Sequence, residues 1–196
     1  MDALFNISYG LYIVTVKDEK YNGCIINTLQ QITSNPIQIS ITINKDNLTT
    51  QIIEKTGIFN VSILDTTTTF DTIQTFGFQS GKTVDKFANF TDFNIAQNGL
   101  PYISKQTNAY ICAKVISSID VGTHITFVAE ILNSEILSKE KSLTYAYYTE
   151  KIKPQTTAKN KYVCSICGYV YEGENLPKDY VCPLCKHGSE VFELQK

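Results

Sequence analysis

Four cysteines near the C-terminus carry the most specific chemistry in this chain. Cys164-Ser165-Ile166-Cys167 and Cys182-Pro183-Leu184-Cys185 are two Cys-x-x-Cys knuckles, separated by residues 168–181. Four thiolates in that pattern suit a tetrahedral metal, and thiolates alone fit zinc or iron equally well. Disulfides are the weaker reading. The opening Met1-Asp2-Ala3 leads almost at once into strand-like sequence, without the basic, apolar and small-residue regions of a secretory signal. Cys24 and Cys112 stand apart and read as small core residues. The sequence shows no Ser-His-Asp set, no paired carboxylates and no Rossmann or P-loop glycine pattern. Any reaction must therefore be borne by a cofactor.

The bulk properties narrow the class. With 17 basic and 19 acidic residues in 196, the formal net charge is −2. No block of like charge offers the basic stripe that nucleic acid requires. No apolar run approaches the roughly 20 residues of a membrane span. The expectation is a soluble, cytoplasmic protein with neither nucleic acid nor membrane as partner. An apolar fraction of 43% is enough for a packed core.

The elements that must position any site are mostly strands. Residues 37–43, 59–63 and 125–131 alternate at period two. Residues 12–16 and 24–29 flank Asn22-Gly23, a turn signal, and read as a hairpin. Residues 110–116 form a further strand. Asn47 is placed to cap a short helix running through Lys55, with Gly57 near its end. A second helix fits residues 68–76, closed by Gly77. Many strands, few helices and no βαβ rhythm predict a mainly β chain with a barrel, not a doubly wound sheet.

Composition changes at 149–160. Glu150-Lys151-Ile152-Lys153-Pro154 and the polar residues after it have no periodicity, and a linker is predicted there. Twelve flexible residues would reach on the order of 20 Å. The domains expected are thus 1–148, a 149–160 linker and 161–196. The last has about 36 residues, too few for an apolar core to suffice without a metal or disulfides.

The residues around the cysteines resemble rubredoxin: Tyr162-Val163 before the first knuckle, Gly168-Tyr169-Val170-Tyr171 after it, and Phe192 beyond the second. The resemblance implies one iron held by Cys164, Cys167, Cys182 and Cys185. It also implies a small aromatic core of Tyr162, Tyr169, Tyr171, Tyr180 and Phe192. The 172–180 loop is shorter than in free-standing rubredoxins and resembles the variant fused to larger redox proteins.

The front of the chain resembles flavin-reductase-type split barrels, including archaeal ferric reductase. Residues 7–15, Asn27-Thr28, Gln31-Ile32-Thr33-Ser34, Asn44-Lys45, Asp85-Lys86-Phe87 and Gly122-Thr123-His124 carry that likeness in order. The whole chain is similar to the high-molecular-weight rubredoxins, fusions of a flavin domain and a rubredoxin found in anaerobes. The likeness implies an FMN-binding split barrel that works as a homodimer. Asn27, Thr28, Gln31, Asn44, Lys45, Asn47, Thr49, Thr50 and Lys86 become cofactor-binding candidates, and His124 a flavin or nicotinamide contact. Asn47, Thr49 and Thr50 would meet a phosphate at a helix start, with Lys86 as counter-charge. The implied activity passes electrons from NAD(P)H through FMN to the iron, and on to a partner such as a flavodiiron protein that reduces oxygen or nitric oxide. Two alternatives stay open: a passive FMN and iron carrier reduced by another protein, and a zinc-stabilised flavin-binding protein.

Overall fold

The computed structural model describes residues 3, 6–154, 160–183 and 187–195. The chain divides into two compact units, Met1–Lys153 and Pro154–Lys196. In the front unit the strands are β1 (Tyr12–Lys17), β2 (Tyr21–Ile26), β3 (Gln30–Ser34), β4 (Ile37–Asn44), β5 (Ile58–Leu64), β6 (Phe93–Ile95), β7 (Pro101–Ile103), β8 (Thr107–Asp120) and β9 (His124–Ile136). Helix α1 spans Leu48–Thr56 and α2 spans Phe70–Gly77. Seven strands form one antiparallel sheet in the order β2-β1-β5-β8-β9-β4-β3.

Alternation along the strands builds two large cores, in addition to a small cluster of Ala96, Tyr110 and Cys112. Val14, Val16, Phe59, Val61, Ile41, Ile43 and Phe127 pack together as one. The neighbouring positions Leu11, Ile13 and Leu64 point the other way and pack with Ile73 and Phe76 of α2. A strand apolar on both faces is what burial on both sides requires. β3 pairs with β4 only as far as Gln30 opposite Ser40. Beyond that point Thr28 continues the edge with its side chain: its hydroxyl donates to the Thr42 carbonyl at 2.7 Å and accepts from the Thr42 amide at 3.2 Å. One hydroxyl thus ties the end of the β2 segment to β4.

Three features differ from the expectation. Residues 18–20 make the β1–β2 turn, while Asn22 and Gly23 lie inside β2, opposite Val16 and Thr15. Both have the composition of a turn, but both are buried against close neighbours, so burial overrides turn chemistry. The front unit also runs past 148: α3 (Tyr145–Tyr147) leads into a π-helical turn, Tyr148–Ile152, with Tyr148 buried and Ile152 packed on the second core. Residues 155–159 lie outside the described residues. Finally, the β6–β7 hairpin has no forecast in the sequence pattern. It covers β1 and β5, where Thr15 donates to the Pro101 carbonyl and Asn60 to those of Leu100 and Pro101.

The tail unit is a three-stranded sheet, β11 (Val170–Glu172), β10 (Lys161–Cys164) and β12 (Phe192–Gln195), with β10 central. Its aromatic rings form the expected core. Tyr162 meets Tyr171, Tyr171 meets Tyr180, and Phe192 stands edge-on to Tyr169 and Tyr180.

Gln106 holds a left-handed backbone at φ 60°, a conformation that costs a non-glycine residue about 1 kcal/mol or more. Its side-chain oxygen accepts from the Thr69 amide and the Thr72 hydroxyl, so it caps α2 from outside the helix. Gln106→Ala should destabilise the front unit by roughly 1–2 kcal/mol in urea unfolding, and Gln106→Gly by less, because glycine regains the backbone term. Equal losses would mean that the backbone strain is absent.

Candidate functional site

The candidate metal centre brings the first knuckle together with Cys182, the start of the second. The first knuckle follows β10. Its turn closes where the Gly168 amide donates to the Cys164 carbonyl at 2.8 Å, and Gly168 sits at φ 75°, a conformation glycine takes without cost. The Cys164 amide donates to the Tyr169 carbonyl, and the Cys182 amide to that of His187, both at 2.8 Å. Cys164 and Cys182 are buried and Cys167 is exposed. The three sulfurs lie within 4.8 Å of one another, with Cys167 and Cys182 Sγ atoms 3.5 Å apart. Metal–sulfur bonds of about 2.3 Å at tetrahedral angles need sulfurs about 3.8 Å apart, so this set fits a metal. The fourth expected ligand, Cys185, lies outside the described residues.

In the front unit the candidates fall into three groups. Asn44 ends β4 directly opposite His124, the first residue of β9. Lys45 follows, its ammonium paired with Asp120 and its amide donating to the Thr123 carbonyl. That ammonium and the Gly122 amide hold the Asp120 carboxyl below the usual carboxylate range. The His124 ring meets the Thr123 hydroxyl at 2.8 Å.

The second group is the start of α1. No acidic residue occupies its first turn, and Asn47 makes no side-chain cap bond. Thr49 and Thr50 are buried, and their hydroxyl protons are committed: Thr49 donates to Asn22 Oδ1 at 3.1 Å and Thr50 to the Asn44 carbonyl at 2.7 Å. They hold the turn and leave their oxygens as acceptors. Donation to an anion falls instead to the amides of that turn.

Lys86 makes the third. It is only 6% exposed, and its ammonium donates to the carbonyls of Gly23 (2.8 Å) and Phe76 (3.1 Å). No ion pair to it is formed among the described residues. Burial lowers its pKa below the ordinary lysine value. The adjacent Phe87 fixes its position, ringed edge-on by Tyr21, Phe76, Phe90 and Phe93. Cys24 links this group to the second: burial pushes its thiol up, while Thr49, the Lys86 charge and Asn47 pull it back.

The remaining candidates are spread further. Asn27 is half-buried and lines a cavity of about 980 Å³ with Tyr9, Tyr145 and Glu150. Thr28 is occupied with β4, as above. Gln31 is exposed, its amide turned to the Thr33 carbonyl. The structure thus gathers Asn44, Lys45, Asn47, Thr49, Thr50 and His124 around the β4–α1 junction, sets Lys86 between β2 and α2 with Cys24 as its link to that junction, and leaves Gln31 on the outer edge. Sequence reasoning passes over Cys24, Asn22 and Gly23 as parts of this site. The only available signal is the poor fit of Asn-Gly to a buried strand.

Comparison with known proteins decides the family. Residues 4–155 match the flavin reductase like domain, and residues 162–193 match the rubrerythrin, rubredoxin-like domain. The chain belongs to the flavin reductase family. It is 36% identical to a high molecular weight rubredoxin of Moorella thermoacetica, over 97% of each chain. It is 39% identical to a ferric-chelate reductase (NAD(P)H) of Archaeoglobus fulgidus, over 76% of this chain and 88% of that one. Solved structures share the fold of the front unit. A Streptomyces globisporus NADH:FAD oxidoreductase superposes with a TM-score of 0.66 at 20% identity, over 72% of this chain and 84% of that one. An FMN-binding protein of Thermus thermophilus gives 0.61 at 19%, over 67% and 72%. The chain is a flavin-reductase-type oxidoreductase domain fused to a rubredoxin-type iron domain, an arrangement built for electron transfer. No described helix is long and apolar enough to cross a membrane.

Because the tail owes its core to its metal, Cys164→Ser should abolish the visible iron absorption and the iron stoichiometry. The front unit has its own apolar cores and should keep its flavin. Parallel loss of flavin would show that the tail helps build the flavin site.

Proposed function

We propose that the chain takes electrons from NADH or NADPH onto FMN and delivers them singly to its tetracysteinyl iron. The carrying observation is Lys86, a buried ammonium that donates to two carbonyls and has no ion pair among the described residues, linked through Cys24 to α1, whose first turn carries no acidic residue. The chain contains no arginine. Lysine is therefore the permanently cationic side chain available to a phosphate in this barrel. From Gly23 to Asn27 the chain spans about 13 Å at strand rise, which suits a molecule with a phosphate at one end and an aromatic ring at the other. On this reading Lys86 and the first turn of α1 hold the phosphate, Asn44, Lys45 and His124 border the site from β4 and β9, and Asn27 and Thr28 border the ring.

Bound FMN would supply the conversion of one hydride, two electrons at once, into two single-electron transfers, and an iron held by the cysteines would take one electron at a time. The protein residues bind and orient. Thr28 keeps the β2 end against β4, and the Phe87 cluster holds Lys86 in register. In the tail Cys167 is exposed, and exposed Ile166 and Val181 directly precede Cys167 and Cys182, apolar positions next to the ligands through which an electron can enter or leave. Exposed Ile116, Ile119, Val121, Leu132 and Ile136 along β8 and β9, with Ile32 and Ile37 on β3 and β4, support a homodimer. The downstream partner proposed is a cytoplasmic flavodiiron oxygen or nitric oxide reductase.

The test is anaerobic mixing of the flavin-loaded full chain with NADH and, separately, NADPH. Fast bleaching of the flavin by one of them is expected. If neither bleaches it while dithionite does, the chain is a passive carrier reduced by another protein.

A further inference from the structure

β2 carries an Asn-Gly pair in its middle, a poor choice for a strand. Residues that break local rules mark places where something else is being satisfied. Asn22 is 6% exposed, in register with Val16. Its side-chain oxygen accepts the Thr49 hydroxyl at 3.1 Å, fastening β2 to the first turn of α1.

The other side of Asn22 meets Gly81. A Cβ built on Gly81 would lie 2.1 Å from Asn22 Nδ2 and 2.8 Å from its Oδ1. Gly81 has no left-handed backbone, so close approach is the reason for glycine at this position. Its loop is well braced: the Thr83 and Val84 amides donate to the Ser80 carbonyl, and the Lys82 amide to the Ser80 hydroxyl. That same loop ends in Lys86, whose ammonium returns to the carbonyl of Gly23, the residue after Asn22. Asn22 is thus in contact with both walls of the cleft, the α1 turn through Thr49 and the Lys86 loop through Gly81. Asn22, Leu48 and Gly81 also line one groove of about 380 Å³, whose charged rim includes Glu19, Asp18 paired with Lys55, and Asp85 paired with Lys20.

We infer that Asn22 is a positioning residue that sets the distance between the α1 turn and the Lys86 loop, and so the width of the cleft that takes the flavin phosphate. The inference rests on the phosphate placement proposed above. Gly81 is its counterpart, because any side chain there pushes the loop outward from Asn22.

The test compares affinities of the full chain for FMN and for riboflavin, which lacks the phosphate. Asn22→Ala and Gly81→Ala should each weaken FMN by roughly tenfold, about the worth of one displaced charge-assisted contact, with riboflavin nearly unchanged. In Asn22→Ala/Gly81→Ala the clash has no partner, so the double variant should bind FMN no worse than Asn22→Ala alone. Asn22→Asp keeps the shape and the Thr49 bond and adds a negative charge, so it should fold and lose FMN selectively. An unchanged FMN-to-riboflavin ratio in Asn22→Ala and Asn22→Asp, or additive losses in the double variant, overturns the inference. The phosphate placement itself fails separately, if Lys86→Ala leaves the wild-type preference for FMN over riboflavin intact.

Discussion

The Lys86 ammonium is the constraint around which the front unit is arranged. An ion removed from water costs several kcal/mol unless polar groups replace the lost hydration. Here two carbonyls do so in part, one from β2 and one from the end of α2. Both must be held still. Gly23 allows the close packing of β2, since a Cβ there would lie 2.8 Å from the Val14 carbonyl. The ring cluster about Phe87 holds the other side. The result is a buried lysine that is hydrogen-bonded but has no ion pair among the described residues, and the first turn of α1 carries no acidic residue. Such a site suits an anion, and on the function proposed above that anion is the flavin phosphate.

The tail depends on a different interaction. Its strands are three to four residues long, and its rings are mostly half-buried. Area burial on that scale cannot offset the entropy of ordering the chain. Only the cysteines Cys164 and Cys182 are deeply buried there among the described residues, so the metal takes the place of an apolar core. The two units thus solve stability separately, one by a large sheet and one by metal–thiolate bonds.

Much of this was legible in sequence because the patterns were local. Alternation at residues 37–43, 59–63 and 125–131 became β4, β5 and β9, which run on where pairing continues past the apolar stretch. Gly57 ends α1 in a left-handed turn, as its position suggested. The knuckle spacing led to a sulfur cluster of matching dimensions. What escaped the sequence depends on long-range contact. Asn22-Gly23 has the composition of a turn, and only Thr49, Gly81 and Lys86, far along the chain, explain it as strand. Thr49 and Thr50 have the right types for phosphate, yet their protons are spent within the fold. Gln106 caps a helix by reaching Thr69, 37 residues away in sequence, which no local pattern announces.

The central claim is that electrons reach the iron only through the flavin held by this cleft. Removing the flavin from the full chain while keeping the iron gives the most direct measurement, with NADH or NADPH added anaerobically and the iron absorption followed. The account predicts that the flavin-free protein keeps its oxidised iron spectrum, and that adding back FMN restores reduction. Reduction of the iron without flavin, or an iron that stays oxidised after FMN is restored and reduced, would contradict it.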